Sequence, residues 1–174
     1  ELASMRPFSN FGRSMEYGPH GGYYTKSDIR EIVAFCLERH ITVIPEIEMP
    51  GHASALLSAY PEYSCDGKPV AVKTRGGVYA DTLCAGKEET YAALEAILME
   101  VMELFPGKQI HLGGDEAPKD HWKACPLCQR KMRQEGLKSE IELQCWFTDR
   151  MAAFLKSHGR EAVVWNDALK GGGR

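Results

Sequence analysis

Gln109-Ile110-His111-Leu112-Gly113-Gly114-Asp115-Glu116 is the stretch whose reading decides the fold. Ile110 and Leu112 suit a short buried strand. Gly113 and Gly114 then let another molecule approach the backbone closely. Two adjacent carboxylates, Asp115 and Glu116, stand at the C-terminal end of that strand, where active sites sit in parallel α/β folds. A bare Asp-Glu pair in a loop is ordinarily a solvated pair of acids, so the surrounding chain has to decide whether this one does chemistry.

Working outward, Glu88 to Phe105 predicts a helix, with Leu94, Leu98, Val101 and Phe105 on one apolar face and Pro106-Gly107 as the stop. Further upstream, Ile41 to Glu48 is β-branched and nearly continuously apolar, as a strand buried on both faces would be. Pro45 within it argues for a bend or an ending strand. Met49-Pro50-Gly51-His52 follows as a tight turn, so Glu46, Glu48 and His52 gather at this strand end. Before it, Thr25-Lys26-Ser27-Asp28 is a capping-box pattern opening a helix to about Arg39, with Cys36 on its apolar face. Residues 1–24 read as irregular, Ala53 to Ala59 as a helical piece, and 61–86 as a loop long enough to be functional.

Downstream, residues 117–136 read as a polar stretch carrying Trp122. Ser139-Glu140-Ile141-Glu142 is a second capping-box pattern, opening a helix that Gly159 closes. Ala162 to Trp165 is a third short strand, ending in Asn166-Asp167. Helix and strand alternate three times, which is parallel α/β. All three strand ends carry polar or aromatic groups, and in a parallel sheet they share one rim.

The composition excludes several classes. At 174 residues there is enough chain for one domain with a core, and 44% hydrophobic with 26% charged residues is ordinary for a globular protein. The net charge of −3 and the lack of a basic run argue against nucleic-acid binding. No segment is apolar enough to span a membrane as a helix. No phosphate-binding glycine loop follows any strand. The start at Glu1, without Met or a signal peptide, suggests a fragment or processed product. Cys125-Pro126-Leu127-Cys128 is a lone CxxC, and with His121 it offers three of the four ligands that zinc needs, so a reduced pair or a local disulfide is the favoured reading. Cys65 and Cys84 flank the long loop and would staple it in an oxidising compartment.

These residues carry a resemblance. His111-Leu112-Gly113-Gly114-Asp115-Glu116 resembles the His-x-Gly-Gly-Asp-Glu signature of family 20 glycoside hydrolases, the β-N-acetylhexosaminidases, and Val43 to His52 resembles the motif on the family's preceding strand. Asp81-Thr82-Leu83-Cys84-Ala85-Gly86 and the CxxC are similar to bacterial members. The resemblance implies a partial (β/α)₈ TIM barrel, with the three strands here as its third to fifth. A full barrel takes about 250 residues, so a sugar-gripping Arg is expected before Glu1 and an acetamido-contacting Tyr after Arg174.

The resemblance further implies hydrolysis of terminal N-acetyl-β-hexosamine from glycans, with retention and with the substrate's own acetamido oxygen as nucleophile. Glu116 is then the general acid and base, and Asp115 the ionised partner of the acetamido N–H. His52 supports proton traffic at Glu116, Glu48 orients His52, and Trp165 walls the acetamido methyl. His111 reads as a hydrogen-bonded core histidine. No cofactor and no catalytic metal are implied, and a periplasmic or secreted location is expected from the family. One departure stands out: the family's Trp-Asp-Glu is Trp165-Asn166-Asp167 here. The competing reading is a catalytically inactive piece that only binds sugar or self-assembles through exposed barrel edges.

Overall fold

The computed structural model describes residues 22–73 and 77–170. The expected irregularity before residue 22 and the glycine run from 171 lie outside them. In chain order come α1 (Lys26–Leu37), α2 (Ser54–Ala59), a 3₁₀ turn (Pro61–Tyr63), α3 (Glu88–Leu104), β1 (Gln109–His111), α4 (Asp120–Ala124), α5 (Pro126–Glu135), α6 (Glu140–Ser157), β2 (Glu161–Val163) and a final 3₁₀ turn (Asn166–Leu169). β1 and β2 pair in parallel, with Gln109 opposite Glu161, Ile110 opposite Ala162 and His111 opposite Val163. The ladder runs past both strands, because Leu112 N–H donates to the Val163 carbonyl and Trp165 N–H to the Gly113 carbonyl.

The expected strand at 41–48 is only partly formed. Glu46 bridges His111 in parallel, Ile47 and Met49 donate to the His111 and Leu112 carbonyls, and His111 donates to the Pro45 carbonyl. Pro45 has no N–H to add to the ladder. The segment is also not buried on both faces, since Ile41 and Ile44 are 54% and 43% exposed. Even so, the three segments lie side by side in sequence order, all pointing the same way. That arrangement puts the residues after each of them on one rim.

The helices follow their sequence signals closely. At α1, Asp28 N–H donates to the Thr25 hydroxyl and Thr25 N–H to the Asp28 carboxylate, completing the capping box. At α6, the Ser139 hydroxyl caps Glu142 N–H, but the Glu142 carboxylate accepts from Lys138 N–H, so that box closes one residue early. Gly159 has φ +72°, as a residue just past a helix end requires. The core lies where α3 and α6 cover the sheet: Tyr91, Leu94 and Leu98 meet Leu143, Phe147 and Met151 over Ile110 and Leu112. α1 contributes no buried residue, and Cys36 is only half-buried rather than part of that core.

Two helices, α4 and α5, occupy the stretch that reads as merely polar. α5 buries only Cys128 and Met132, which leaves almost no apolar periodicity to detect. The long loop is held against them. Cys84 N–H donates to the Tyr63 carbonyl, the Trp122 indole N–H to the Leu83 carbonyl and the Tyr91 hydroxyl to the Ala85 carbonyl. Among the described residues no helix is long and apolar enough to cross a membrane.

Candidate active site

The site forms where the three strand segments end. β1 delivers His111, then Gly113 and Gly114 at φ +66° and +94°, then Asp115 and Glu116. Both glycines are required by close approach as well as by φ. A Cβ on Gly113 would collide with the Glu48 carboxylate, and one on Gly114 would stand 2.7 Å from Ala168 Cβ. Glu116 itself has φ +47° and His52 φ +49°, a region that L residues enter only under constraint. Two contacts hold the backbone there. Glu116 N–H donates to the Asp167 carboxylate, and the Gln144 amide donates to the Gly114 carbonyl at 2.6 Å.

His52 stands between the paired acids. Its Nε2 lies 3.5 Å from Asp115 Oδ2 and 3.6 Å from Glu116 Oε2. The Pro50–His52 turn is fixed from below, since Leu83 N–H donates to the Pro50 carbonyl and Gly51 packs against Ala117. Glu116 is about half exposed, with its side chain at 52%, whereas Asp115 and His52 are each at 28%. Asp115 Oδ1 is buried and has no hydrogen-bond partner among the described residues. A buried carboxyl oxygen left so is an acceptor waiting for a donor.

Glu48 lies behind Asp115 with its carboxylate against Gly113. Burial pushes its carboxyl up to about 7, and repulsion from Asp115 adds to the rise. Glu48 therefore keeps a proton under conditions where an ordinary glutamate has lost it. Trp165 is 48% exposed and stands at the rim, its indole N–H donating to Glu46 Oε1 at 2.7 Å and its ring 4.8 Å from that of His111. His111 Nδ1 accepts Gly113 N–H at 2.9 Å and lies 3.3 Å from Glu46 Oε1, which makes it the hydrogen-bonded histidine that the sequence suggests.

The structure thus places His52, Glu48, Asp115, Glu116 and Trp165 at the ends of the three strand segments. Glu46 and Gln144 were not singled out as site residues. Glu46 joins Trp165, Glu48 and His111, and Gln144 is a buried amide on α6. The sequence had placed Glu46 with Glu48 and His52 at one strand end without giving it a role, and the signal for Gln144 was a polar residue inside an apolar helix stripe. Beyond Glu116 a cleft of about 420 Å³ is bordered by Val78, Lys119, Gln144, Asp167 and Lys170. Two groups of His, Cys, Asp or Glu among the described residues are close enough to hold an ion: His52 with Asp115 and Glu116, and Cys65, Cys84, Cys125 and Cys128. The first combines a carboxylate able to exchange a proton, an imidazole beside it and a second carboxylate with a free acceptor. That set suits acid–base chemistry at a substrate that brings a hydrogen-bond donor to Asp115.

The sequence profile of "Glycosyl hydrolase family 20, catalytic domain" matches residues 2–174. A β-hexosaminidase of Porphyromonas gingivalis is 46% identical over 153 residues, covering 88% of this chain and 20% of the relative. One from Akkermansia muciniphila is 40% identical over 154 residues, covering 88% and 31%. The crystal structure of a β-N-acetylhexosaminidase from Bacteroides fragilis superposes with a TM-score of 0.78 at 43% identity, over 88% of this chain and 30% of that one. The chain spans less than a third of the length of these relatives.

Proposed function

The chain belongs to the glycosyl hydrolase family 20 catalytic-domain family and folds as part of its (β/α)₈ barrel, and on that premise we propose that it carries the acid–base half of a β-N-acetylhexosaminidase active site. The substrate class is a glycan ending in a non-reducing N-acetyl-β-hexosamine. The acetamido carbonyl oxygen attacks the anomeric carbon while the bond to the leaving oxygen breaks. Glu116 gives its proton to that oxygen. Asp115 accepts the acetamido N–H, which gains positive character as the oxazolinium ring closes. Water then attacks the anomeric carbon, Glu116 takes its proton, and the ring reopens with the β configuration retained.

The remaining residues serve this pair. His52, within 3.6 Å of both carboxylates, sets their orientation and steadies Glu116 as its charge alternates. Glu48, kept protonated at its back, spares Asp115 a second negative charge. Trp165 offers an apolar wall for the acetamido methyl.

The observation that carries this reading is the buried, unpartnered Asp115 Oδ1 beside an accessible Glu116. An N–H donor supplied by the substrate satisfies it, and a sugar with a plain 2-hydroxyl has no amide oxygen to act as nucleophile. The test is the rate of hydrolysis of aryl β-glucosaminides whose acetamido methyl carries zero to three fluorines. Each fluorine weakens the carbonyl nucleophile, so kcat/KM is expected to fall steeply along the series. A flat series would mean that a protein carboxylate, not the substrate, is the nucleophile.

A further inference from the structure

The long loop and the α4–α5 corner bring together four sulfurs that the hydrolytic chemistry does not use. Cys84 Sγ lies 3.6 Å from Cys128 Sγ and 3.8 Å from Cys125 Sγ, and Cys65 Sγ lies 3.9 Å from Cys128 Sγ. All four lie within 4.8 Å of one another, and none is in a disulfide. We propose that Cys65, Cys84, Cys125 and Cys128 form a closed tetrathiolate site for one zinc ion, which clamps the loop at 61–86 onto the α4–α5 corner.

The geometry argues for a metal over two disulfides. A disulfide draws one pair of sulfurs to about 2.05 Å and fixes who pairs with whom. Here Cys84 has two sulfur neighbours at almost equal distance, and so does Cys128. A tetrahedron with zinc–sulfur bonds of about 2.3 Å has edges of about 3.8 Å, the spacing observed. The sequence reading stopped at three ligands because it looked near the CxxC, where His121 is. The fold supplies Cys65 and Cys84 from more than forty positions upstream, as the separations of 63 and 44 residues to Cys128 record.

The surroundings are built for a charged sulfur cluster. Four thiolates around a divalent ion leave two negative charges, which need nearby donors. Gly86 N–H donates to the Cys84 sulfur. Cys125 occupies the N-cap position of α5, a ten-residue helix, and Cys128 lies in its first turn, so both ligand positions fall at the positive end of a helix. Gly86 must be a glycine: a Cβ there would run into the Leu127 and Cys128 backbone. Cys84, Cys125 and Cys128 are buried and Cys65 is half-buried, which leaves no open coordination position and marks the site as structural. Soft thiolates in a tetrahedral set select zinc or iron, and a closed four-cysteine set is the usual ligand set of structural zinc. The clamp bears on the rim as well, since Leu83, beside Cys84, holds the Pro50–His52 turn.

The inference stands independently of the hydrolase reading, and its test reads the metal directly. Protein purified under a thiol reductant without chelator is analysed for metals, and its zinc-edge X-ray absorption is recorded. One zinc per chain with four sulfur ligands is expected. Zinc is lost from Cys84→Ser and from Cys128→Ser but kept in Cys36→Ala. Cobalt in place of zinc is expected to give the intense visible bands of a tetrahedral thiolate site. Folded wild-type protein without bound metal would overturn the proposal, whether its four cysteines titrate as free thiols or map as two disulfides. Bound iron, or zinc with fewer than four sulfurs, would overturn the assignment of ion or ligand set. The wild-type spectrum decides the matter even if the serine variants do not fold.

Discussion

At the scale of single residues, Glu48 gives the clearest consequence. Its carboxyl is raised from an ordinary 4.5 to about 7, first by burial and then by Asp115. The folded protein therefore binds a proton that the unfolded chain has released between those values. Stability from this group is fully present below about pH 4.5 and is lost as the pH climbs through about 7. Melting temperature measured from pH 4 to 8 should fall across that window in the wild type more than in Glu48→Gln, and parallel curves would show that Glu48 holds no such proton. The strand-end positions of Asp115, Glu116, His52, Glu48 and Trp165 were legible in the sequence, whereas the roles proposed for them come from the family resemblance. The contacts of Glu46, whose strand-end place was read, and of Gln144, which was not read at all, were hidden because they span 119 and 30 residues.

At the scale of elements, long-range caps matter more than local ones. Arg160 reaches from the start of β2 to the end of α3 and donates to the Met102, Phe105 and Gly107 carbonyls. These carbonyls have no helical partner of their own, so one guanidinium closes the helix and ties it to the sheet. Arg160→Met should cost about 2–3 kcal/mol in urea unfolding, by the loss of charge-assisted bonds at a partly buried site. Thr25→Ala, removing an exposed local cap, should cost about 1 kcal/mol. Equal losses from the two variants would contradict this ranking. α1, α3 and α6 were legible from caps and apolar stripes. α5 was hidden because it buries only two side chains and so shows no apolar stripe, although Pro126 at its first position and a left-handed Gly136 at its end bound it.

At the scale of the whole molecule, the sequence conveyed the alternation of helix and strand and the shared rim, but not how completely each strand would form. Ile41 and Ile44 read as interior residues, yet among the described residues nothing covers them. Phe35 and Leu37 on α1 are likewise 56% and 69% exposed. An unpaired strand edge beside such a patch invites association. The 174-residue chain by itself should therefore sediment as a dimer or larger species at micromolar concentration, and Ile44→Lys with Phe35→Lys should shift it toward monomer. A wild-type chain that stays monomeric would show that this face is tolerated in water.

The measurement that bears most directly on the central claim is the leaving-group dependence of hydrolysis by wild type and Glu116→Gln. If Glu116 protonates the departing oxygen, kcat/KM on a poor leaving group should drop by about 10²–10⁴, while a dinitrophenyl glycoside, which needs no acid, should be attacked by its acetamido group at close to the wild-type rate. An equal loss on both substrates, or none on either, would contradict the assignment of Glu116 as the acid.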